Sequence, residues 1–494
     1  MLTDNQNKTD RKIYFWLFII AFATAFSSTY NPMNFRRMHV DSSIYVTVSQ
    51  GIIRGQLPYR DLVDNKGPFT YLINVPGLFL GGFTGIWITE LLLLFVSVLF
   101  AYKTALFFAD RRKAVAGTLA CFIALIPVFT VNAGTEEYSL PFLMISLYIF
   151  TKYYFSEKRN ISFGELVVLG SCFSCAVFIR LNMFPLWAGF CMVIFVESVI
   201  NRRFALLGKY VCAFCLGIII VSVPVFLYLK LNGILDAFLE LVVFGGAARG
   251  FSGGNFKETV KNFYIVINRN YSFIPIFFGL FFVIIKYRKP NFGYYCGYTL
   301  SCFLMALFLS FSRGDSHYNM VLIPFFVPAF TSLIVLLYSV FPGGKMKNAA
   351  VVFFLCVIFS EGLLKYFNDL SKIVYDNSGS QMIRAGKMID ENTKPGDKIL
   401  SLNNAYIYPF TRREPVTKYF FQGSGIQYIK EAQREFLSDV LINKPAIIAV
   451  FTVEGLSEQE LYFSDWFRPI IEMMDKDYRL LSDDNGYRLF IKNR

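Results

Sequence analysis

The stretch DSSIYVTVSQGIIRGQLPYRDLVDNKGP, residues 41–68, decides how the chain is read. It carries Asp41, Asp61, Asp64, Arg54, Arg60 and Lys66 and is the densest polar segment in the first 366 residues. A charged side chain at a bilayer centre costs roughly 2.5–3.5 kcal/mol even on lenient scales, so this segment lies outside the hydrocarbon. Within it Ile44, Val48 and Ile52 recur at four-residue spacing with Tyr45 beside them, which predicts a short amphipathic helix lying on the membrane surface. Asp41 takes the N-cap position, and Gly55 and Pro58 stop the helix. A second short helix begins at Pro68, suited to a first turn, and ends or kinks at Pro76 and Gly77.

Outward from this segment the chain is apolar. Of 494 residues, 55% are hydrophobic and 18% aromatic, and the mean hydropathy is +0.47. That composition excludes a soluble enzyme and predicts a polytopic α-helical membrane protein. Apolar runs near 13–30, 83–108, 115–131, 138–156, 163–179, 185–200, 205–229, 271–286, 293–312, 320–340 and 349–366 predict about eleven transmembrane helices. The net charge of +13 does not point to nucleic acid, because much of it sits in short loops between runs. With the N-terminus cytoplasmic, the basic loops 109–114, 157–162, 201–203, 286–290 and 342–348 all fall inside. The same alternation puts 31–82, 132–137, 180–184, 230–270, 313–319 and everything after 366 on the outer face. All nine cysteines (121, 172, 175, 191, 212, 215, 296, 302 and 356) lie in apolar runs and read as packing residues. No cleavable signal is evident: no small-residue cleavage pattern follows the first run.

After residue 366 charges become frequent and long apolar runs end, so 1–366 reads as a transmembrane domain with outer-face helices in 31–82. Residues 367–494 read as an extracytoplasmic α/β domain. Its expected elements are a helix over 380–391, a KPGD turn, a strand over 398–402, a helix over 428–443, a strand over 446–451 and a terminal hairpin closed by Asn485-Gly486. It holds no phosphate loop and no nucleophile elbow.

The outer segments collect groups able to act together: Asp41 and Lys66 in the first, Glu136 and Glu137 in the second, Arg180 at the end of the fifth run, and Arg313 and His317 in SRGDSHYN. Paired carboxylates beside cations suit transfer of a group carried on a phosphate. One carboxylate takes a proton from an acceptor hydroxyl, and the cations hold the departing phosphate. Each residue also has a structural reading. Asp41 caps a helix, Glu136 and Glu137 are solvated loop charges, Lys66 and Arg180 snorkel at the interface, and His317 makes a structural hydrogen bond. Asp61 and Asp64 read as turn residues.

Taken in order, Asp41 at the start of an outer-face helix, G-x-x-P-Y-R-D over 55–61, D-x-K-G-P over 64–68, T-E-E-Y-x-L-P-F over 135–142 and S-H-Y over 316–318 form a pattern. It resembles the GT-C type membrane glycosyltransferases, the group that includes protein mannosyltransferases and the lipid A aminoarabinose transferase. The chain departs from that pattern at Asn65 and in having a single Lys-Gly-Pro. The resemblance implies a polyprenyl-phosphate-linked sugar as donor and a glycan, glycolipid or protein as acceptor. Displacement at the anomeric carbon would proceed with inversion. It implies Asp41 as general base, Glu137 or its neighbour Glu136 as the second acid with the match favouring Glu137, and Lys66 at the donor phosphate. Arg180, Arg313, His317, Tyr59 and Arg60 follow as substrate-binding residues. No cofactor is implied; the resemblance does not uniformly require a metal and leaves a divalent ion open, but no strong metal site is visible.

The expectation is therefore a cell-membrane, multi-pass glycosyltransferase with a cytoplasmic N-terminus. Rival readings are a flippase for lipid-linked sugars, a glycan polymerase or ligase, and a sensor or scaffold. A flippase places ionisable groups near the midplane in broken, repeated helices. Polymerases and ligases carry their main outer domain between spans. A sensor leaves the first outer segment unexplained.

Overall fold

The structure, a computed structural model, describes residues 2–33, 38–129, 134–245, 256–311, 316–341, 343–375, 378–402, 404–422, 429–451, 465–484 and 487–493. Helices occupy the positions of the expected spans. In chain order they are α1 (Leu2–Phe26), α2 (Val40–Ile53), α3 (Pro68–Leu72), α4 (Asn74–Ala105), α5 (Arg111–Leu125), α6 (Thr135–Phe155), α7 (Phe163–Ile179), α8 (Pro185–Ile200) and α9 (Phe204–Leu231). There follow α10 (Phe256–Asn268), α11 (Phe273–Ile285), α12 (Phe292–Ser310), α13 (Ile323–Val340), α14 (Gly344–Ile358) and α15 (Ser360–Tyr375).

Among the described residues four helical stretches are long and apolar enough to cross a membrane: Pro68–Ala105, Phe204–Leu231, Phe292–Ser310 and Ser316–Val340. The number rises to six if two bent pairs, at 88° and 63°, each make one span. The count of about eleven does not follow from helix length alone. Helix α11 has 13 residues and rises about 20 Å at 1.5 Å per residue, short of a hydrocarbon layer roughly 30 Å thick. The run expected as one span over 349–366 is broken between α14 and α15, and α15 continues across residue 367.

Two local expectations at the outer segment are corrected. Pro76 and Gly77 do not end the second helix: α4 runs from Asn74 through both. Pro76 is its third residue, where the missing N–H has no intrahelical partner to lose. The break comes instead at Gly81 and Gly82, and Gly82 has φ 58° and ψ −133°, a conformation open to glycine. Nor does Asp41 cap α2. His39 is the N-cap, its Nδ1 accepting the Asp41 N–H at 3.3 Å, and Asp41 stands in the first turn. The helix ends as expected, with Arg54 as C-cap and Gly55 at φ 87°.

The C-terminal part is built from α16 (Ser378–Asn392), β1 (Lys398–Leu402), β2 (Glu414–Pro415), α17 (Lys430–Asn443), β3 (Ile447–Phe451), α18 (Arg468–Asp477), β4 (Tyr478–Asp484) and β5 (Tyr487–Lys492). The strands form one sheet in the order β2-β1-β3-β5-β4. The first three run parallel, and β5 is antiparallel to β3 and β4. The fully buried strand β3 is the continuous apolar run that a covered parallel strand requires. β2 and α18 were not anticipated. The expected hairpin turn at Asn485-Gly486 lies outside the described residues.

This part packs on α2, α3 and the loop between them. Ile44, Tyr45, Val48, Tyr59 and Tyr71 share one core with Met382, Ala385, Ile389, Tyr406 and Phe420. The Gln50 side chain donates to the Pro409 carbonyl at 3.1 Å and the Val63 N–H to the Lys418 carbonyl at 3.0 Å. Helix α2 is thus clamped between the membrane half and the sheet domain. All nine cysteines are free.

Candidate active site

Four elements converge on the start of α2. The first is α2 itself, which carries half-buried Asp41 in its first turn. The second is the 58–68 loop. Tyr59 holds a positive φ of 69°, and its buried hydroxyl donates to the Lys66 carbonyl at 2.8 Å. Tyr71 donates to Asp64 at 2.7 Å. These bonds fold the loop so that Lys66 Nζ sits 5.8 Å from the Tyr45 ring centroid and donates to Asn65 at 2.9 Å. Gly67 lets the loop touch the end of α7: a Cβ there would stand 1.9 Å from the Phe178 carbonyl oxygen. The Gly67 N–H and the Thr70 hydroxyl both donate to the Ile179 carbonyl, at 3.2 and 3.1 Å.

That docking brings in the third element. Arg180 is the first extended residue after α7 (φ −153°, ψ 127°). Its guanidinium donates to the Glu136 carboxylate and stacks 4.3 Å from the centroid of the Tyr318 ring, a cation–π arrangement. The fourth element is the 3₁₀ turn Ser316–Leu322. Buried Asn319 pins it by donating to the Val266 carbonyl at 2.9 Å and to the Ser272 hydroxyl at 3.0 Å. His317 therefore faces His39, with ring centroids 6.1 Å apart, and it senses the charges of Asp41, Arg180, His39 and Lys66. Tyr45 underlies the same space. Burial, reinforced by the carboxylates of Asp41 and Asp64, pushes its phenol pKa well up, so it remains a proton donor.

The adjacent acids Glu136 and Glu137 are not solvated loop charges. Helix α6 begins at Thr135, placing both in its first turn, where the helix dipole favours negative charge. They are 2% and 1% exposed, and they face different neighbours. Glu136 takes hydrogen bonds from Arg180 and from the Thr135 hydroxyl, the latter at 2.8 Å. Glu137 lies with Glu90 in electrostatic reach of Tyr30 and Tyr138. There Tyr138 donates to Asn74, and Ser42 lies beside Tyr30.

Of the expected site residues, Asp41, Lys66, Arg180, Glu136 and His317 come together. Tyr59 is buried behind them as a support for Lys66. Arg60 is exposed and paired with its neighbour Asp61 at 2.9 Å, which holds the Asp61 carboxyl below the usual carboxylate range. Arg313 lies outside the described residues. Sequence reasoning missed His39, Tyr45 and Tyr318 as neighbours of the site, although His39 stands two residues before Asp41 and Tyr318 follows His317. Among the described residues no group of three or more His, Cys, Asp or Glu converges as a metal site.

The arrangement sets the half-buried carboxylate of Asp41 near two cations, Lys66 and Arg180, the latter paired with Glu136. The same architecture occurs in solved membrane proteins. ArnT from Cupriavidus metallidurans bound to undecaprenyl phosphate superposes with a TM-score of 0.62 at 12% identity, covering 96% of this chain and 97% of that one. Its apo form gives 0.63 at 13%, covering 98% of each chain. The archaeal oligosaccharyltransferase AglB from Archaeoglobus fulgidus, in complex with an inhibitory peptide and a dolichol-phosphate, gives 0.57 at 12%. It covers 98% of this chain and 75% of that one. The chain is thus a multi-pass membrane protein with the GT-C fold. By sequence it belongs to the family described as "Putative competence-induced protein Ccs4 N-terminal domain", which matches residues 3–339. No curated protein matches the chain in sequence.

Proposed function

We propose that the protein is a glycosyltransferase that moves a sugar from a polyprenyl phosphate to a hydroxyl-bearing acceptor on the outer membrane face, with inversion. The observation that carries this reading is the meeting of Asp41 with Lys66, Arg180 and His317 where the outer-face loop docks on α7. Asp41 accepts the proton of the acceptor hydroxyl as its oxygen attacks the anomeric carbon. The bond from that carbon to the phosphate oxygen breaks, and polyprenyl phosphate leaves. A phosphate monoester needs charge stabilisation more than protonation. Lys66 and Arg180 supply it as charge-assisted donors in a site of reduced dielectric.

Glu136 orients Arg180 through their buried ion pair, and Tyr59 holds the Lys66 backbone. His317 lines the space between Asp41 and the cations. The acceptor is a cell-surface glycan, glycolipid or protein, reached from the side of the sheet domain. The likeness of fold to ArnT bound to undecaprenyl phosphate and to AglB with a dolichol-phosphate supports a polyprenyl-phosphate donor. Incubating membranes that contain the protein with a panel of polyprenyl-phosphate sugars, followed by mass spectrometry, tests the reading. A protein-dependent glycosylated product is expected. If every donor in the panel stays intact while the protein is folded and inserted, the reading fails.

A further inference from the structure

At the opposite end of α2 from Asp41, some 13 residues and roughly 20 Å along the helix, a second polar space opens. It is a cavity of about 410 Å³ at the seam between the membrane half and the sheet domain. The last turn of α2 contributes Gln50 and Arg54, and the sheet domain contributes Lys387 from α16 and Arg412 from the segment before β2. All three cations are exposed, and no ion pair among the described residues engages any of them. The one carboxylate in the lining, Asp390, is already occupied: it accepts from the Thr411 hydroxyl at 2.6 Å and from the Arg412 N–H at 3.0 Å. Arg54 makes one long bond, 3.4 Å, to the Thr411 carbonyl, which leaves most of its donors free. The space is therefore a cationic pocket, and guanidinium groups flanking a lysine suit a phosphate.

The rim of this pocket is apolar. Phe83 and Phe410 meet at 5.2 Å on its wall, beside Ile383. Just before the Gly81–Gly82 break in α4, Phe79 and Leu80 are 78% and 83% exposed on a helix apolar enough to lie in the membrane. A free anion has no use for them. A lipid would lay its acyl chain along Phe79 and Leu80 and raise its headgroup into the cations.

We propose that this seam cavity binds the phosphate headgroup of an anionic membrane phospholipid. Bridging Arg54 on one side to Lys387 and Arg412 on the other, the headgroup fastens the sheet domain to α2, the helix whose first turn carries Asp41. A ligand bound only by the folded, docked state stabilises that state in proportion to its occupancy.

The test uses the full-length protein in nanodiscs of phosphatidylcholine alone or with phosphatidylglycerol. The readouts are thermal unfolding and the lipids retained in native mass spectrometry. Phosphatidylglycerol is expected to raise the midpoint and be retained in preference to phosphatidylcholine. In Arg54→Gln/Lys387→Gln/Arg412→Gln that preference falls roughly tenfold or more, as the loss of three cations near an anionic headgroup implies, and the shift disappears. Lys387→Gln alone, on an exposed helical position, gives a partial loss and serves if the triple variant does not fold. Inorganic phosphate added to phosphatidylcholine nanodiscs is expected to leave the midpoint unchanged. An equal shift with inorganic phosphate would make the pocket a soluble-anion site and overturn the lipid assignment. An unchanged phosphatidylglycerol preference in Lys387→Gln and the triple variant would overturn the site.

Discussion

Two polar clusters flank the start of α2 and α6, one half-buried and one buried, and they differ in their charges. The cluster of Asp41, Glu136, Arg180, Lys66 and His317 mixes both signs of charge. The cluster of Tyr30, Ser42, Asn74, Glu90, Glu137 and Tyr138 brings two carboxylates together among phenols and an amide. In the first cluster a cation stands beside the carboxylates. The second buries polar groups of α2, α4, α6 and the segment after α1, with Glu90 fully enclosed. Adjacent residues on one helix turn, Glu136 and Glu137, belong to different clusters, and chemistry is assigned to the mixed one.

The largest expected effect is at Asp41. With His39 as the cap, Asp41→Asn removes no capping side chain, so the melting temperature of purified protein should change little. Loss of a general base lowers transfer by about 10²–10⁴-fold. A variant that keeps near-wild-type transfer moves the base elsewhere. Next comes Lys66→Ala, where losing a preorganised charge at the leaving group is expected to cost about 10²–10³-fold. Lys66→Arg should recover part of that, since the charge survives with altered geometry. Equal activity of Lys66→Ala and wild type in a donor-titration assay would remove Lys66 from the phosphate site.

Smaller and more discriminating is the contrast between the adjacent acids. Glu136→Gln weakens the buried pair with Arg180 and should reduce transfer more than Glu137→Gln, whose effect should stay under about tenfold, near 1.4 kcal/mol. This reverses the order that the family resemblance favours. Parallel rate and thermal-shift measurements on the two variants decide it; a more severe loss in Glu137→Gln would return the site to the other cluster. The smallest effect is at Arg60. Its exposed pair with Asp61 is worth about 0–1 kcal/mol, so Arg60→Ala should leave transfer and melting temperature nearly unchanged. A large loss of donor use would show that Arg60 contacts substrate.

The 41–68 segment was legible in part because its signals are local: Gly55 ended α2 and Lys-Gly-Pro marked the loop that carries Lys66. Four-residue spacing placed α2 but not its setting, for Ser42, Ser43, Val46, Thr47 and Ser49 are buried along with Ile44 and Val48, so the helix is enclosed by packing and does not lie as an amphipathic helix on a surface. Strand β3 followed from a short apolar run, and the strand pair at the C-terminus from the hairpin pattern around Asn485-Gly486. What failed depended on one-residue register or on distant packing. Asp is common both at the N-cap and in the first turn, so Asp41 was misplaced by two positions when His39 took the cap. Pro76 reads as a breaker unless the helix is known to begin just before it. Consecutive residues on a helix point about 100° apart, and only the packing of neighbouring elements determines that Glu136 meets Arg180 while Glu137 lies toward Tyr30 and Tyr138. Glu90 did carry a signal: a lone carboxylate in a long apolar run is expensive and marks a polar interior.

The most direct test of the central claim separates chemistry from movement of an intact lipid. Purified protein in proteoliposomes is given a labelled polyprenyl-phosphate sugar with an acceptor, and free polyprenyl phosphate is quantified beside glycosylated acceptor. The account predicts that one polyprenyl phosphate appears for each sugar transferred, and that Asp41→Asn abolishes both. Donor that crosses to the other leaflet with its sugar still attached, and no free polyprenyl phosphate, would contradict it.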